Sequence, residues 1–396
     1  MDVRRTPCPS PVDLRSDPRL QASMDRLLQP DYAVDRVMAQ TTDSDWPGDL
    51  AGRLLLALAR FARAGAPTTE RATALNAAML DALRDHGYIG PVVGEVVPEQ
   101  QVACHGWVAS GLLQHYYATG DARSREAAIR VVDELLLPAV DRLCSYPRER
   151  DLSAEIGEAA GTATVISGGW AVSSDIWCVL LVLNGLVPVA LETDRADIHT
   201  AIATVAEALA ALDLRGQHVQ LHASLAAARC LADYAEAVPA DWTVRLARDV
   251  YDTYARHART LNYATYNWFE RPDSWTETCA IVDSLGCAGT LDRLTGEPRY
   301  RDDAVRIAYW GLNFAERRDG SFGLDSVTTP KVPVLTPQVY DAWWCCTLRG
   351  PIGLLEARET GIWPTPDPPE LGDLLRVAGT FGPDDHPSVH LFVEPA

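Results

Sequence analysis

A short stretch at the junction of two predicted helices decides the fold: Tyr117-Ala118-Thr119-Gly120-Asp121-Ala122-Arg123. It recurs in type as Leu294-Thr295-Gly296-Glu297-Pro298-Arg299-Tyr300, and more faintly at residues 191–195. In the two clearer copies, glycine is placed to end a long apolar helix, and an acidic residue or proline is placed to begin an amphipathic one. Repeated helical hairpins of this kind predict a solenoid or a closed ring.

The segments on either side of these junctions carry helical periodicity. Apolar residues recur at i, i+3, i+4 and i+7 in Leu50–Ala64, Thr69–His86, Gln101–Thr119 and Arg123–Leu137. Ser173, Ser174 and Asp175 are expected to cap a further inner helix. About 320 residues at roughly 25 to 30 residues per helix give about eleven or twelve helices. Because β-branched runs are scarce, the sequence predicts an all-α protein, and the helix count fits an (α/α)6 toroid.

Composition shifts divide the chain into three parts. Residues 1–45 are rich in Pro, Asp and Arg around an amphipathic stretch from Leu20 to Met38, and they predict an arm laid over the core. Residues 46–363 are expected to form the barrel. A cluster of prolines then stops the helical pattern, and the tail, residues 364–396, contains an alternating run, Ser388–Val393, that predicts a short strand. We expect this tail to pack on the barrel.

Charge and composition exclude several classes of protein. The net charge of -19 argues against a nucleic-acid partner, because phosphate binding would start from repulsion. No apolar run is long enough to cross a membrane, and the basic start has no apolar region behind it, so we expect a cytoplasmic protein with reduced thiols. Lys331, the only lysine, lies between prolines in a predicted loop, which excludes pyridoxal enzymes and P-loop NTPases. A small-molecule substrate is expected, and the oligomeric state stays open, with a homodimer as one alternative.

Two distant segments carry the residues with the richest chemistry. They are Trp275-Thr276-Glu277-Thr278-Cys279 and Trp343-Trp344-Cys345-Cys346. Together they offer one carboxylate and three thiols, which are ligands that Zn²⁺ takes in tetrahedral geometry. Adjacent cysteines seldom form a disulfide with each other, because a trans peptide holds their Cα atoms too close together. The alternative is that these cysteines are buried and pack as small apolar side chains.

Glu-Thr-Cys followed by a distant Cys-Cys resembles the zinc site of glycoside hydrolase family 127, the β-L-arabinofuranosidases. The resemblance implies an (α/α)6 barrel in which Glu277, Cys279, Cys345 and Cys346 hold Zn²⁺ and Cys345 is the nucleophile of a retaining hydrolysis. It also implies a general acid upstream of Glu-Thr-Cys. Glu270 is the nearby candidate, although it lies closer to Glu277 than the family pattern has it. The alternative for Glu270 is a solvated carboxylate before a helix.

The resemblance also implies substrate-binding residues. His105 and His222 fall where family helices present sugar-binding histidines, although a lone histidine on an apolar helix is often a core residue. Trp268 and Trp344 are predicted to contact the substrate beside the metal, with core packing as their alternative role.

Departures from the family pattern point to a substrate less polar than a free sugar. Ser174 and Leu181 stand where family members carry histidines, so fewer groups are present to bind hydroxyls. Residues 347–350 read Thr-Leu-Arg-Gly where the family has Pro-Pro-Asn.

Three functional hypotheses follow. The first is a zinc-thiolate glycosidase-like enzyme that acts on a glycosylated or sugar-like small molecule. The second keeps the metal but replaces hydrolysis with a lyase, isomerase or cyclase step, in a specialised biosynthetic pathway. The third is non-enzymatic: four protein ligands close a structural zinc site, and the barrel binds a ligand or partner.

Overall fold

The computed structural model describes residues 17–42, 44–83, 85–148, 163–326 and 336–362. The α-helices are α1 (Pro18–Leu27), α2 (Val34–Thr42), α3 (Asp49–Arg63), α4 (Thr69–Ala82), α5 (Glu99–Thr119), α6 (Ala122–Val131), α7 (Leu137–Asp141), α8 (Leu183–Thr193), α9 (Ala196–Ala210), α10 (Leu221–Ala237), α11 (Asp241–His257), α12 (Thr278–Thr295), α13 (Pro298–Arg306), α14 (Asn313–Ala315) and α15 (Cys346–Glu359). The strands are β1 (Val97–Pro98), β2 (Ala163–Ser167), β3 (Trp170–Ser173), β4 (Trp275–Glu277), β5 (Leu324–Ser326) and β6 (Thr336–Val339).

Six helices form a closed inner ring. They pack in the order α3, α5, α8, α10, α12 and α15, and α15 returns to contact α3. Outside the ring, α4, α6, α9, α11 and α13 each pack on the inner helix that precedes them. The sixth outer position is taken by α1, which packs on α15. The predicted all-α fold and (α/α)6 toroid are therefore confirmed within the described residues.

The repeated junction ends inner helices in the way its residues predict. Gly120, after α5, and Gly296, after α12, adopt left-handed backbone conformations with φ of 77° and 67°. In the faint copy Asp194 takes the same role after α8, with φ of 52°. A left-handed residue at this position closes the helix by turning its N–H back toward the last carbonyls. The next segment is thereby directed onto the outer layer.

Glycines allow the inner helices to approach closely. A Cβ atom added at Gly106 of α5 would lie 2.3 Å from the carbonyl oxygen of Leu181. One added at Gly111 would lie 2.6 Å from the carbonyl oxygen of Gly52 in α3. Because both contacts are with backbone atoms, a larger residue there would force neighbouring elements apart.

The structure corrects the predicted cap before α8. The chain forms β3 up to Ser173 and then a 3₁₀ turn over Cys178–Val182, so neither Ser173 nor Asp175 begins an α-helix. The N–H of Val179 instead donates to the carboxylate of Glu99, at 3.2 Å. A buried carboxylate from α5 thus takes the capping role, which sequence position alone does not reveal.

Other predicted boundaries shift modestly. The helix expected at Thr69–His86 ends at Ala82, and the one expected at Arg123–Leu137 passes through a π-helical turn, Val132–Leu136, into α7. The predicted arm contains α1 and α2, of which α2 packs on α3 and α4. The predicted strand in the tail lies outside the described residues, and the three-part division of the chain stays a prediction.

Five inner helices, α3, α5, α8, α10 and α12, are each followed by an outer helix that returns the chain, so they begin at one end of the barrel, here called the mouth. α15 begins at the same end, because Cys346 in its first turn lies beside Cys279 of α12. Two three-stranded sheets, β1-β3-β2 and β4-β5-β6, lead into it. β1 runs directly into α5, and β4 runs directly into α12. Among the described helices, none is long and apolar enough to cross a bilayer.

Candidate active site

The mouth is lined by side chains from the first turns of the inner helices. A polar or acidic residue stands at or near the start of each one: Asp49 of α3, Glu99 of α5, Asp175 before α8, His222 of α10, Cys279 of α12 and Cys346 of α15. Helix N-termini carry partial positive charge, which stabilises carboxylates and thiolates placed there. The shared position of these polar residues identifies the site. The sequence shows that position only after each helix has been assigned to the inner or the outer layer.

Three cysteines converge at the mouth. The Sγ atoms of Cys279, Cys345 and Cys346 lie within 4.8 Å of one another, and those of the adjacent pair are 3.4 Å apart. The structure therefore brings the two cysteine-containing segments together, although almost seventy residues separate them in the chain. Cys279 and Cys346 are buried, whereas Cys345, the N-cap residue of α15, is partly exposed.

The donor set fits a thiophilic metal. Tetrahedral Zn²⁺ with sulfur ligands at about 2.3 Å places those sulfurs about 3.8 Å apart, so the thiols need only a small adjustment. Glu277, the last residue of β4, is buried beside them, and its Oε2 lies 3.9 Å from Nδ1 of His222. A buried cluster of three cysteines is thus able to hold a metal ion, whereas Glu277 is not among the donor atoms that converge within 4.8 Å, and its role as a fourth ligand stays a prediction.

The thiols influence one another's ionisation. Burial opposes ionisation of Cys346, but hydrogen bonds from Cys279 and Cys345 outweigh it and hold its pKa well below the usual value. Hydrogen bonds with Cys279 and Cys346, and then burial, raise the pKa of the Cys345 thiol well above its usual value. The metal-free cluster therefore favours a single thiolate that is shared by hydrogen bonding.

The guanidinium groups of two arginines pack on the ring of a tryptophan near the thiols. The guanidinium groups of Arg53 and Arg349 lie 4.4 Å and 4.7 Å from the ring centroid of Trp107. His222 also stacks on this indole, with centroids 6.0 Å apart. Nη1 of Arg53 lies 3.6 Å from Sγ of Cys279, so positive charge is held next to the thiols.

His222 lies in the predicted region, between two carboxylates. Its Nε2 lies 3.4 Å from Oδ2 of Asp283. Burial would raise the pKa of Asp283, but Arg349, then His222 and Arg229, outweigh burial and hold it well below its usual range. Asp283 therefore faces Nε2 of the histidine on one side, and Glu277 faces Nδ1 on the other. A sugar-binding role for His222 stays a prediction.

His105 is engaged by the backbone. Its Nε2 accepts a hydrogen bond from the N–H of Ile89 at 3.0 Å, and its Nδ1 lies 2.6 Å from the carbonyl oxygen of Gln101. Burial lowers the pKa of His105 to about 4, so the ring is neutral. Both ring nitrogens contact the backbone, and His105 fastens the loop around Ile89 to α5. Its substrate-binding role stays a prediction that this geometry does not favour.

Glu270 lies in a surface turn. Its backbone has a positive φ of 58°, and its carboxylate, 40% exposed, pairs with the guanidinium of Arg215. That ion pair turns the carboxylate toward Arg215 and solvent. The acid role predicted for Glu270 stays a prediction that this position does not favour.

Asp175 has a carboxyl group for which the sequence predicts only a helix-capping role. It is buried at the mouth, and among the described residues its Oδ1 has no hydrogen-bond partner. Burial, then the charge of Glu277, raises the pKa of Asp175 to about 8. Burial, then Cys279, likewise raises the pKa of Glu277 to about 8. Asp175 is therefore a buried acid that is protonated near neutral pH.

The two predicted aromatic contacts differ in their surroundings. Trp268 is buried and packs edge-on against Trp275, with ring centroids 5.0 Å apart. Trp344 is 40% exposed beside Cys345 and packs edge-on against Trp343. Trp344 is therefore available to contact a ligand, whereas Trp268 is packed in the core.

The backbone of this chain is similar to those of sugar-processing enzymes. A glycoside hydrolase family 127 β-L-arabinofuranosidase from Geobacillus stearothermophilus superposes with a TM-score of 0.58 at 13% identity, over 89% of this chain and 65% of that chain. This chain and that enzyme share the (α/α)6 barrel fold. A cellobiose 2-epimerase from Spirochaeta thermophila superposes with a TM-score of 0.54 at 14% identity, over 89% and 99% of the two chains.

A third structure, an unsaturated glucuronyl hydrolase specific for heparin, gives a TM-score of 0.57 at 10% identity, over 87% of this chain and 99% of that chain. No family model and no curated protein matches the sequence. The chain spans less than two thirds of the arabinofuranosidase, so it shares that enzyme's barrel at the level of fold.

Proposed function

We propose that the protein is a carbohydrate-active enzyme, a retaining glycosidase that uses Cys345 as nucleophile on a glycosylated or sugar-like small molecule. One observation carries the proposal. The thiols of Cys279, Cys345 and Cys346 converge within 4.8 Å of one another at the mouth, and Cys345 is the only one of the three residues that is not fully buried. A substrate must reach the nucleophile, so the nucleophilic role is assigned to the least buried residue of the three.

Cys279, Cys345, Cys346 and Glu277 would hold Zn²⁺. Bound zinc supplies deprotonation of its thiol ligands, and a thiolate is the reactive form of cysteine. Arg53, 3.6 Å from Cys279, offsets part of the negative charge that accumulates on these ligands. Without metal the thiolate is favoured on Cys346 and not on Cys345, so ionisation of the nucleophile would depend on the bound zinc.

The reaction proceeds through two displacements. The thiolate of Cys345 attacks the anomeric carbon, the bond to the leaving oxygen breaks, and Asp175 protonates that oxygen. Water then attacks the same carbon, Asp175 takes a proton from it, and the carbon–sulfur bond breaks to restore the thiolate. Two inversions at one carbon retain its configuration.

Asp175 is assigned as acid and base because it is buried at the mouth and carries an oxygen that has no hydrogen-bond partner in the described part of the chain. Glu270, the carboxylate predicted from the sequence, is exposed and paired with Arg215. Trp344 supports the choice of a ligand with an apolar portion, because an exposed indole next to the nucleophile suits stacking on a flat or apolar group.

To test this function, zinc-loaded protein is incubated with aryl furanosides and pyranosides that carry activated leaving groups. We expect turnover, together with a sugar-sized mass increase on the peptide that contains Cys345. Cys345→Ala should abolish both signals. Asp175→Asn should slow formation of the adduct by about 10²–10⁴-fold with poor leaving groups and spare it with activated ones, because only poor leaving groups need a proton, whereas hydrolysis of the adduct should slow with every substrate because the base is lost. Glu270→Gln is the matched control and should change turnover little; absence of turnover and of adduct with every glycoside contradicts the proposal.

A second candidate, a sugar isomerase or another non-hydrolytic enzyme, rests on the proton-carrying groups at the mouth. Asp175 and Glu277 both have raised pKa values, and His222 lies beside Glu277. Such groups suit proton abstraction next to a carbonyl. Incorporation of deuterium from D₂O into a reducing sugar without hydrolysis would favour this reaction over the glycosidase.

A further inference from the structure

The N-terminal segment contacts the turn that carries the reactive cysteines. Residues 341–347, here called the cysteine turn, connect β6 to α15. Nη2 of Arg26, in α1, donates to Oδ2 of Asp341 at 2.8 Å, and the hydroxyl of Thr347 donates to Oδ1 of the same carboxylate at 2.6 Å. Asp341 therefore joins α1 to the residue that follows Cys346.

A second contact fixes the middle of the turn. The hydroxyl of Tyr32 donates to the carbonyl oxygen of Trp343 at 2.7 Å. The Tyr32 ring is fully buried, and the guanidinium of Arg26 lies over it. The distance from the guanidinium carbon to the ring centroid is 4.9 Å. The two contacts thus form one unit that holds the turn at Asp341 and Trp343, the residues just before Trp344.

The inner side of the turn is held separately. The N–H of Ala342 donates to the carbonyl oxygen of Phe322 at 2.9 Å, and the N–H of Phe322 donates to the hydroxyl of Thr347 at 2.9 Å. These bonds anchor the two ends of the turn. Trp343, which lies between those ends, receives a hydrogen bond from Tyr32.

We propose that residues 17–32 are a positioning element of the thiol site, in which Arg26 and Tyr32 hold the cysteine turn so that Cys345 and Cys346 stay within reach of Cys279. The inference rests on the thiol site used by the proposed function and extends that site to the N-terminal segment. The helix that completes the outer layer, α1 on α15, thus also contacts the turn at the start of α15.

Titration of metal-free protein with Co²⁺, followed by the cobalt–thiolate absorption band, tests the positioning role. Arg26→Met and Tyr32→Phe should weaken Co²⁺ binding by about 10- to 100-fold, as expected for residues that orient metal ligands, and Arg26→Lys should restore part of it. The matched control is Arg358→Met, because Arg358 of α15 pairs with Asp17 at the other end of α1. It should leave the band and the affinity unchanged.

Alkylation of metal-free protein supplies a readout that needs neither metal nor activity. Iodoacetamide should modify Cys345 roughly fivefold faster in Arg26→Met than in the parent, because loss of a charge-assisted hydrogen bond frees the turn. Equal behaviour of Arg26→Met, Tyr32→Phe and Arg358→Met in both assays would overturn the inference. If the parent bound no Co²⁺, the metal part of the proposed function would fail, and alkylation alone would decide the positioning role.

Discussion

Arg53 Nη1 lies 3.6 Å from Cys279 Sγ, while Nε of the same guanidinium donates to both carboxylate oxygens of Asp49 at 2.8 Å. The three residues come from the first turns of α3 and α12, two inner helices that are far apart in sequence. A buried ion pair therefore stands directly behind the thiol cluster. Its contribution to stability and to thiol chemistry can be separated by substitution.

Removal of the Arg53 guanidinium should destabilise the protein strongly. Arg53→Met leaves Asp49 buried without its charged partner, and we expect a loss of about 3–5 kcal/mol in the free energy of unfolding. The double variant Asp49→Asn/Arg53→Met should recover part of that loss, because no unpaired carboxylate remains. Urea unfolding in the presence of a chelator measures both effects; equal losses in the single and double variants would contradict the argument.

Asp175 and Glu277 should lower the stability of the metal-free protein as the pH rises from about 4 to about 8, against an opposite contribution from Cys346, whose lowered pKa favours the folded state at higher pH. Asp175 and Glu277 have ordinary pKa values near about 4 when unfolded, and burial raises both to about 8 in the folded state. At these two carboxyl groups the folded state therefore binds more protons than the unfolded state in this window, so their contribution to the free energy of unfolding falls with increasing pH. Asp175→Asn should reduce this contribution in urea titrations at several pH values, and Glu270→Gln should leave it unchanged.

Chelation should lower the thermal midpoint of zinc-loaded protein. A ligand present at about 1,000 times its dissociation constant stabilises the folded state by about 4 kcal/mol. The effect should disappear in Cys279→Ser and Cys346→Ser, which lose buried donors. Cys287→Ser is a suitable control, because Cys287 is buried in α12 outside the three-thiol cluster. A chelator effect of equal size in all these variants would place the metal elsewhere.

Substitution of Gly106 should disturb the inner ring. The added methyl group of Gly106→Ala would meet the carbonyl of Leu181 at 2.3 Å, and we expect overpacking to cost about 1–3 kcal/mol. Gly94→Ala is the matched control, since nothing described lies within 4 Å of a Cβ atom at that position. Thermal unfolding compares the two, and equal midpoints would show that the helices tolerate the wider spacing.

Local sequence accounted for the parts of this protein that depend on neighbouring residues. The Thr-Gly-acidic junction predicted where α5 and α12 end, because a left-handed glycine closes a helix wherever it stands. Helical periodicity predicted the helical segments, and the two cysteine-containing segments predicted three thiol ligands and one carboxylate ligand. These features follow from backbone conformation and side-chain chemistry, which require no knowledge of distant contacts.

Only the tertiary structure decided which side chains meet at the mouth. Glu99 takes the capping role expected of Asp175, His105 turns both nitrogens to the backbone, and Glu270 pairs with Arg215. Ring closure sets these outcomes, because it brings the first turns of six helices to one place and buries some carboxylates while exposing others. The sequence by itself determined the helices and the candidate ligands; burial and long-range pairing, which depend on the closed ring, determined what each polar group is able to do.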